Sequence, residues 1–269
     1  MLIAIEENLL PGKTIAERFE NCKRFGFEGI EIRGKQLLPN LEEYKRCSDV
    51  YGIPIKAICL GWDGSLLDSD PASRETAMKG IIELLRIGHD LGGAHLVFPP
   101  VFGPPKIPNL SPFMTEIELE EVLLIEQLKI IARETAGLSS KLLIEPLNRY
   151  EMHLLNRVEQ AGRIAREVNA PNIRILADVF HMNIEEWDMY EPFREWKDYI
   201  EHIHFADNNR SLPGQGCLDF PKIMRVIHEI GFDKTISIEC IRWKKGDPFV
   251  ELPKCYRFLA GLRKELKGV

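Results

Sequence analysis

The chain has 269 residues, 45% of them hydrophobic and 28% charged, with a formal net charge of −6 at pH 7. That length admits one large α/β barrel or two small domains. The acidic balance argues against nucleic acid as a partner, and no apolar run approaches the ~20 residues that span a bilayer.

The N-terminus, Met1-Leu2-Ile3-Ala4-Ile5-Glu6-Glu7, is too short and acidic for an export signal and reads as a first strand. From there, strand-like apolar runs fall at 2–6, 29–32, 55–60, 95–99, 141–146, 173–178, 200–206 and 235–240. Helical patterns alternate with them at 14–26, 41–52, 72–92, 115–137, 155–169, 184–198, 219–231 and 249–266. Asp70-Pro71 and Asp219-Phe220-Pro221 are helix-start signals. Eight βα units in strict alternation predict a parallel sheet closed into a (β/α)₈ TIM barrel, one domain over residues 1–269. The strands are apolar on both faces, as expected where helices cover the outside. Loops rich in glycine and proline follow the strands, such as Gly61-Trp62-Asp63-Gly64 and 99–105. In a barrel of this type such loops build the active site. The six cysteines include no Cys-x-x-Cys pair, so reduced thiols and a cytoplasmic location are expected.

Four side chains stand at or near the C-terminal ends of apolar runs: Glu145, Asp178, His204 and Glu239. Singly, each has an ordinary reading. Glu145 could be a buried ion-pair partner, Asp178 a helix cap, His204 an interior histidine, and Glu239 a partner of Arg242 or Lys244. Jointly, three carboxylates and an imidazole at successive strand ends predict one divalent-metal site at the barrel mouth, since charges are rarely buried unless paired or bound to metal. An oxygen-rich set suits Mn²⁺ or Mg²⁺, and the imidazole admits Co²⁺ or Zn²⁺. Such an ion stabilises an enediolate when the C–H beside a carbonyl loses its proton, with glutamates as acid and base. His202 shares a face with His204 and is expected to pack deeper in the barrel.

The strings around these residues are specific. Glu145-Pro146-Leu147-Asn148-Arg149-Tyr150-Glu151, Asp178-Val179-Phe180-His181, His204-Phe205-Ala206-Asp207-Asn208-Asn209-Arg210 and Ser237-Ile238-Glu239 resemble, in order and spacing, the strand 5 to 8 motifs of the D-tagatose/D-psicose 3-epimerase family. These are xylose isomerase-like TIM barrels. The likeness is dense from about 141 to 241. It implies that Glu145, Asp178, His204 and Glu239 bind one metal, usually Mn²⁺, with Co²⁺ or Mg²⁺ possible. Glu145 and Glu239 would double as acid and base on opposite faces of the substrate. Glu151, His181 and Arg210 would bind substrate. Relatives of this kind often form dimers or tetramers.

Specificity is expected from the N-terminal half, where Trp62 is the candidate to stack on a sugar face. Phe98, Phe102 and Lys106 are candidate pocket residues. Glu6, Glu31 and Arg33 end strands 1 and 2 and are candidates to reach the cavity, with a structural Glu31–Arg33 pair as the competing reading. The predicted function is a metal-dependent epimerase acting on a ketose or keto-sugar acid. An aldose–ketose or hydroxypyruvate-type isomerase is the alternative. An endonuclease IV-like repair enzyme is remote, because strands 3 and 4 end in Cys59-Leu60-Gly61-Trp62 and Phe98-Pro99-Pro100, without the extra histidines of a multi-zinc cluster.

Overall fold

The computed structural model describes residues 1–240 and 246–267. In chain order the elements are β1 (Leu2–Glu6), α1 (Ile15–Phe25), β2 (Gly29–Arg33), α2 (Gly34–Leu37), α3 (Leu41–Tyr51), β3 (Ile55–Cys59), α4 (Pro71–Asp90) and β4 (His95–Phe98). They continue with α5 (Glu116–Glu134), β5 (Leu142–Ile144), α6 (Val158–Val168), β6 (Ile173–Asp178), α7 (Val179–Glu185), α8 (Glu191–Glu195), β7 (Ile200–Phe205), α9 (Phe220–Glu229), β8 (Thr235–Ile238) and α10 (Pro248–Lys267). The eight strands pair in parallel, each with its sequence neighbours, and β8 returns to β1 to close the barrel. The (β/α)₈ expectation is met.

Local chemistry explains the helix starts. Thr14 and Glu17 form a reciprocal capping box at α1, as do Thr115 and Glu118 at α5. Asp70 accepts from the Ala72 N–H at 2.9 Å, and Asp219 from the Lys222 N–H at 3.0 Å, so both expected caps are made. The helix expected over 184–198 is not continuous. The chain leaves α7 at Glu186, and Asp188 accepts from the Tyr190 N–H at 2.7 Å to start the short α8, whose second residue is Pro192. A proline that fits a first helical turn cannot sit inside a longer helix.

Two cores result. Leu, Ile and Phe side chains from the outer strand faces pack beneath the helices. Inside the barrel a smaller plug consists of Ala57, Cys59, Val97, Leu143 and Leu176, all from β3 to β6. The interior contributed by β1, β2, β7 and β8 is polar instead: Glu6, Glu31, His202, His204 and Ser237 are all buried. The barrel is therefore half apolar and half charged inside, and the charged half needs partners. Arg263 of α10 ties the C-terminal helix to the barrel base, donating to Glu28 at 2.7 and 2.8 Å and to the Met1 carbonyl at 2.8 Å. The turns at the base are short, as at 26–28 and 52–54, whereas 60–70, 99–115 and 206–219 rise at the opposite rim.

Candidate active site

Glu145 follows β5, Asp178 ends β6, His204 lies in β7 and Glu239 follows β8. Ladder bonds hold them in register: Asp178 pairs with His204, the Glu145 N–H donates to the Phe98 carbonyl at 3.0 Å, and the Glu239 N–H donates to the Phe205 carbonyl at 3.1 Å. One ligand atom from each of the four lies within 4.8 Å of the others, and all four residues are buried. Residues separated by up to 94 positions in the chain thus meet at one point.

His204 Nδ1 faces Glu145 Oε1 at 3.1 Å and Glu239 Oε2 at 3.4 Å, while its Nε2 faces Glu31 Oε2 at 3.1 Å. Glu31 therefore faces the Nε2–H and leaves Nδ1 turned toward Glu145 and Glu239, an arrangement in which a carboxylate would orient a metal-binding imidazole. The same Glu31 oxygen lies 3.3 Å from His202 Nε2. His202 is fully buried beneath the site, as expected. The expected Glu31–Arg33 pair is replaced: Arg33 pairs with Glu6 at 2.8 Å, and lies 3.9 Å from Glu239.

Arg210 reaches down from the β7–α9 loop. Its Nη1 donates to Asp178 Oδ2 at 3.1 Å, its Nη2 to Glu239 Oε2 at 2.6 Å, and its guanidinium carbon stands 4.3 Å from the Phe180 ring centroid. Its Nε is buried with no hydrogen-bond partner among the described residues. Arg210 has a φ of +60°, rare for a residue with a side chain, and Asp207 holds the loop that imposes it. Buried Asp207 accepts from the N–H groups of Asn208 (2.9 Å), Leu218 (3.1 Å), Gly214 (3.0 Å) and Gly216 (2.7 Å). A β-carbon on Gly216 would collide with the Asp207 and Asn208 side chains, so the turn takes glycine there.

His181 is buried. Its Nδ1 accepts from the Asn148 N–H at 3.0 Å, which assigns its proton to Nε2, 3.4 Å from Asp178 Oδ2; Arg210 Nη1, a donor only, stands 3.1 Å from the same Nε2 and donates to Asp178 instead. Asn148 Nδ2 lies 2.8 Å from the same His181 Nδ1 and donates to Glu151 Oε1 at 2.9 Å, so one amide side chain orients two of the candidate substrate-binding residues. Asp178 accepts from the Phe180 N–H at 2.7 Å; it caps α7 and joins the cluster with the same carboxylate.

The electrostatics follow from crowding acids in a dry barrel. Burial pushes the Asp178 carboxyl up to about 6 despite Arg210. Burial also raises Glu145, against the pull of His204. At Glu239 burial acts the same way, but His204 and Arg210 outweigh it and hold the carboxyl low. Burial alone would favour neutral His204; Glu31, Glu239 and Glu145 together keep it protonated instead. Burial, aided by Glu239, pushes Glu6 up to about 8, although Arg33 is beside it. Glu145, Asp178, Glu239 and Glu31 thus face one arginine and one imidazolium. A dication taking the place of the His204 Nδ1 proton would offset part of this carboxylate excess, and the oxygen-rich donor set with one imidazole fits such an ion.

Above the cluster opens a cavity of about 280 Å³, lined by Glu145, Glu239, Glu151, His181 and Arg210 among others. Asp178 and His204 do not line it. Trp62 is not in this cavity either: it lines an adjoining one of about 430 Å³ with Phe102 and Lys106. Phe98 lies beneath Trp62, fully buried, ring centroids 5.3 Å apart. Arg242 and Lys244, the alternative partners of Glu239, lie outside the described residues. Of the three strand-end candidates, Glu6 and Arg33 line the cavity and Glu31 lies beneath it; Asn148 and Asp207 were given no site role by the sequence. For Glu31 the available signal was a carboxylate inside an otherwise apolar strand.

Residues 19–257 match the family model of xylose isomerase-like TIM barrels. The 3-dehydro-D-guloside 4-epimerase of Escherichia coli (strain K12) is 32% identical over 242 residues, 89% of this chain and 92% of that one. A ketose 3-epimerase from Arthrobacter globiformis is 33% identical over 109 residues, 40% of this chain and 38% of that one. The apo crystal structure of an E. coli 3-keto-D-glucoside 4-epimerase superposes with a TM-score of 0.88 at 29% identity, covering 97% of this chain and 99% of the other.

Proposed function

This chain belongs to the xylose isomerase-like TIM barrel family, and on that premise we propose that it inverts the carbon beside a keto group of a sugar, with Glu145 and Glu239 as its two acid–base groups. It is a sugar epimerase, an enzyme of the isomerase class. The observation that carries the assignment of roles is the convergence of Glu145, Asp178, His204 and Glu239 within 4.8 Å beside a cavity that both glutamates line.

Glu145, Asp178, His204 (through Nδ1) and Glu239 would hold one divalent ion, with Mn²⁺ the first choice and Co²⁺ or Mg²⁺ as substitutes. When bound, that ion polarises the substrate carbonyl and spreads the negative charge that develops when the neighbouring carbon is deprotonated. The rest falls to the chain's own groups. One glutamate removes the proton from the carbon beside the carbonyl, and the other returns a proton to the opposite face. The configuration inverts, and the roles exchange in the reverse reaction. Arg210, whose Nε has no partner among the described residues, and His181, whose Nε2 carries its proton, donate to substrate oxygens. Glu151 accepts from a hydroxyl farther along the chain or ring. The substrate is a keto sugar, in keeping with the names of the full-length and partial relatives.

The test is a screen of ketoses, keto-sugar acids, 3-keto glycosides and hydroxypyruvate with added Mn²⁺ in deuterated water. Deuterium should appear at the inverted carbon. Full turnover in Glu145→Gln or Glu239→Gln would remove the two-base mechanism. Carbonyl migration without inversion would point to an isomerase.

A further inference from the structure

The cavity above the cluster, at about 280 Å³, sits just below the ~300–1,000 Å³ common for small-molecule sites, room for little more than one sugar unit. The adjoining cavity is larger, about 430 Å³. The two share Arg33, Cys59, Leu60, Pro99 and Phe102, so a molecule seated over the glutamates has an open neighbour on one side. A small hydroxy-keto acid or free monosaccharide would leave that neighbour to solvent.

The second chamber is built rather than incidental. Leu60, on the shared wall, has a φ of +56°. A side chain held in that region is a strained feature that clusters at ligand sites. The strain has a local cause. Gly34 and Gly61 approach so closely that a β-carbon on either would meet the other's backbone, which pins the β3–α4 loop against α2. That loop carries Trp62, half-buried on Phe98 and open to the chamber. Phe102, about half exposed, stands at the opening between the two spaces. The three cations bordering the chamber already have carboxylate partners: Arg33 with Glu6 at 2.8 Å, Lys35 with Asp63 at 3.1 Å and Lys106 with Asp68 at 3.3 Å. An anionic group would share these cations with the carboxylates already beside them. A neutral ring with an apolar face and a hydroxyl rim fits the chamber on both counts, since its C–H face can lie on the Trp62 indole while its hydroxyls bond to the paired charges.

We propose that the Trp62–Phe102 chamber is a subsite for a second sugar ring, attached through the anomeric oxygen of the keto sugar held over Glu145 and Glu239, so that the substrate is a glycoside of disaccharide size. This rests on the epimerase reading above for the placement of the first ring. No bond to the second ring is made or broken in the reaction; the chamber contributes binding alone.

The experiment separates the two ideas. The manganese-loaded enzyme is titrated calorimetrically with methyl α-D-glucoside, methyl maltoside and methyl cellobioside, none of which carries a keto group to react. The better disaccharide should bind at least about tenfold more tightly than the monosaccharide. That advantage should fall to about threefold or less in Phe102→Ala and in Trp62→Leu. Phe102 is exposed enough for its variant to fold whatever becomes of the tryptophan variant. Equal affinity for all three sugars, no disaccharide binding up to about 10 mM, or an undiminished advantage in Phe102→Ala would overturn the subsite. Turnover of the 3-keto forms is measured in parallel. If none exchanges solvent deuterium while the disaccharide advantage stands and is lost in the variants, the subsite holds and the epimerase mechanism fails.

Discussion

Asp207→Asn tests how this fold aims Arg210. Each Asp207 oxygen accepts two main-chain N–H groups, Oδ1 from Asn208 and Leu218 and Oδ2 from Gly214 and Gly216, at 2.7–3.1 Å. Asparagine keeps the shape but presents an NH₂ group to one of these pairs. Two bonds to a charged acceptor are lost, at ~1.5–3 kcal/mol each. Relaxation of the loop toward water should bring the net cost to the lower end, roughly 3 kcal/mol. For a chain of this size that corresponds to a fall in Tm of roughly 6–12 °C. Arg210 sits in the left-handed region three residues on, its N–H donating to the Asp207 carbonyl at 2.8 Å. When the loop relaxes, the guanidinium loses its aim at Asp178 and Glu239, and an ångström of misplacement is worth ~100-fold in rate. Thermal melts and kcat/KM on the best keto sugar measure both effects. A variant with wild-type Tm and wild-type kcat/KM would refute this reasoning, because packing alone would then hold the loop.

Three other outcomes follow from the same geometry. Glu31→Gln should weaken manganese binding by about 10–100-fold, with activity restored at high metal, because the group that fixes the His204 tautomer loses its charge; loss of activity that no metal concentration restores would assign Glu31 a different role. Chelation should abolish turnover and lower Tm, whereas manganese at about 100 times its Kd should add ~2.7 kcal/mol of stability to the wild type and none to Asp178→Asn. The His95 imidazole is pushed down to about 4 by burial, against the nearby Glu201. Its folded pKa is below its unfolded value of ~6.5, so its stabilising contribution is complete above pH 6.5 and is lost as pH falls toward 4. Between pH 7 and 5 urea melts should show wild type losing roughly 2 kcal/mol relative to His95→Gln, whatever the carboxyls common to both contribute; an unchanged difference between the two proteins would contradict the sign.

Much of the site was legible because a charge at the end of an apolar strand is conspicuous. Glu145, Asp178, His204 and Glu239 each break a run of Leu and Ile, and the period of a strand put His202 on the same face as His204. Asp207, by contrast, carries no such signal. Its partners are peptide N–H groups of residues that look like any loop, and peptide groups are identical in every sequence. Glu31 was visible as an oddity, but its partner is 173 residues away, and only barrel closure brings the two strands together. The break at 186–190 was signalled by Asp188 and Pro192, and the helical period of the surrounding residues masked it.

The order of elements, the parallel barrel and the quartet of Glu145, Asp178, His204 and Glu239 were determined by the chain alone, because each follows from local periodicity and from charges set where apolar residues would otherwise continue. Which imidazole nitrogen faces the cluster, which acid stays ionised and which chamber receives Trp62 were decided only in the tertiary structure. Those properties depend on distances between strands and loops far apart in sequence, and on the loss of water from the barrel interior, neither of which a linear string contains.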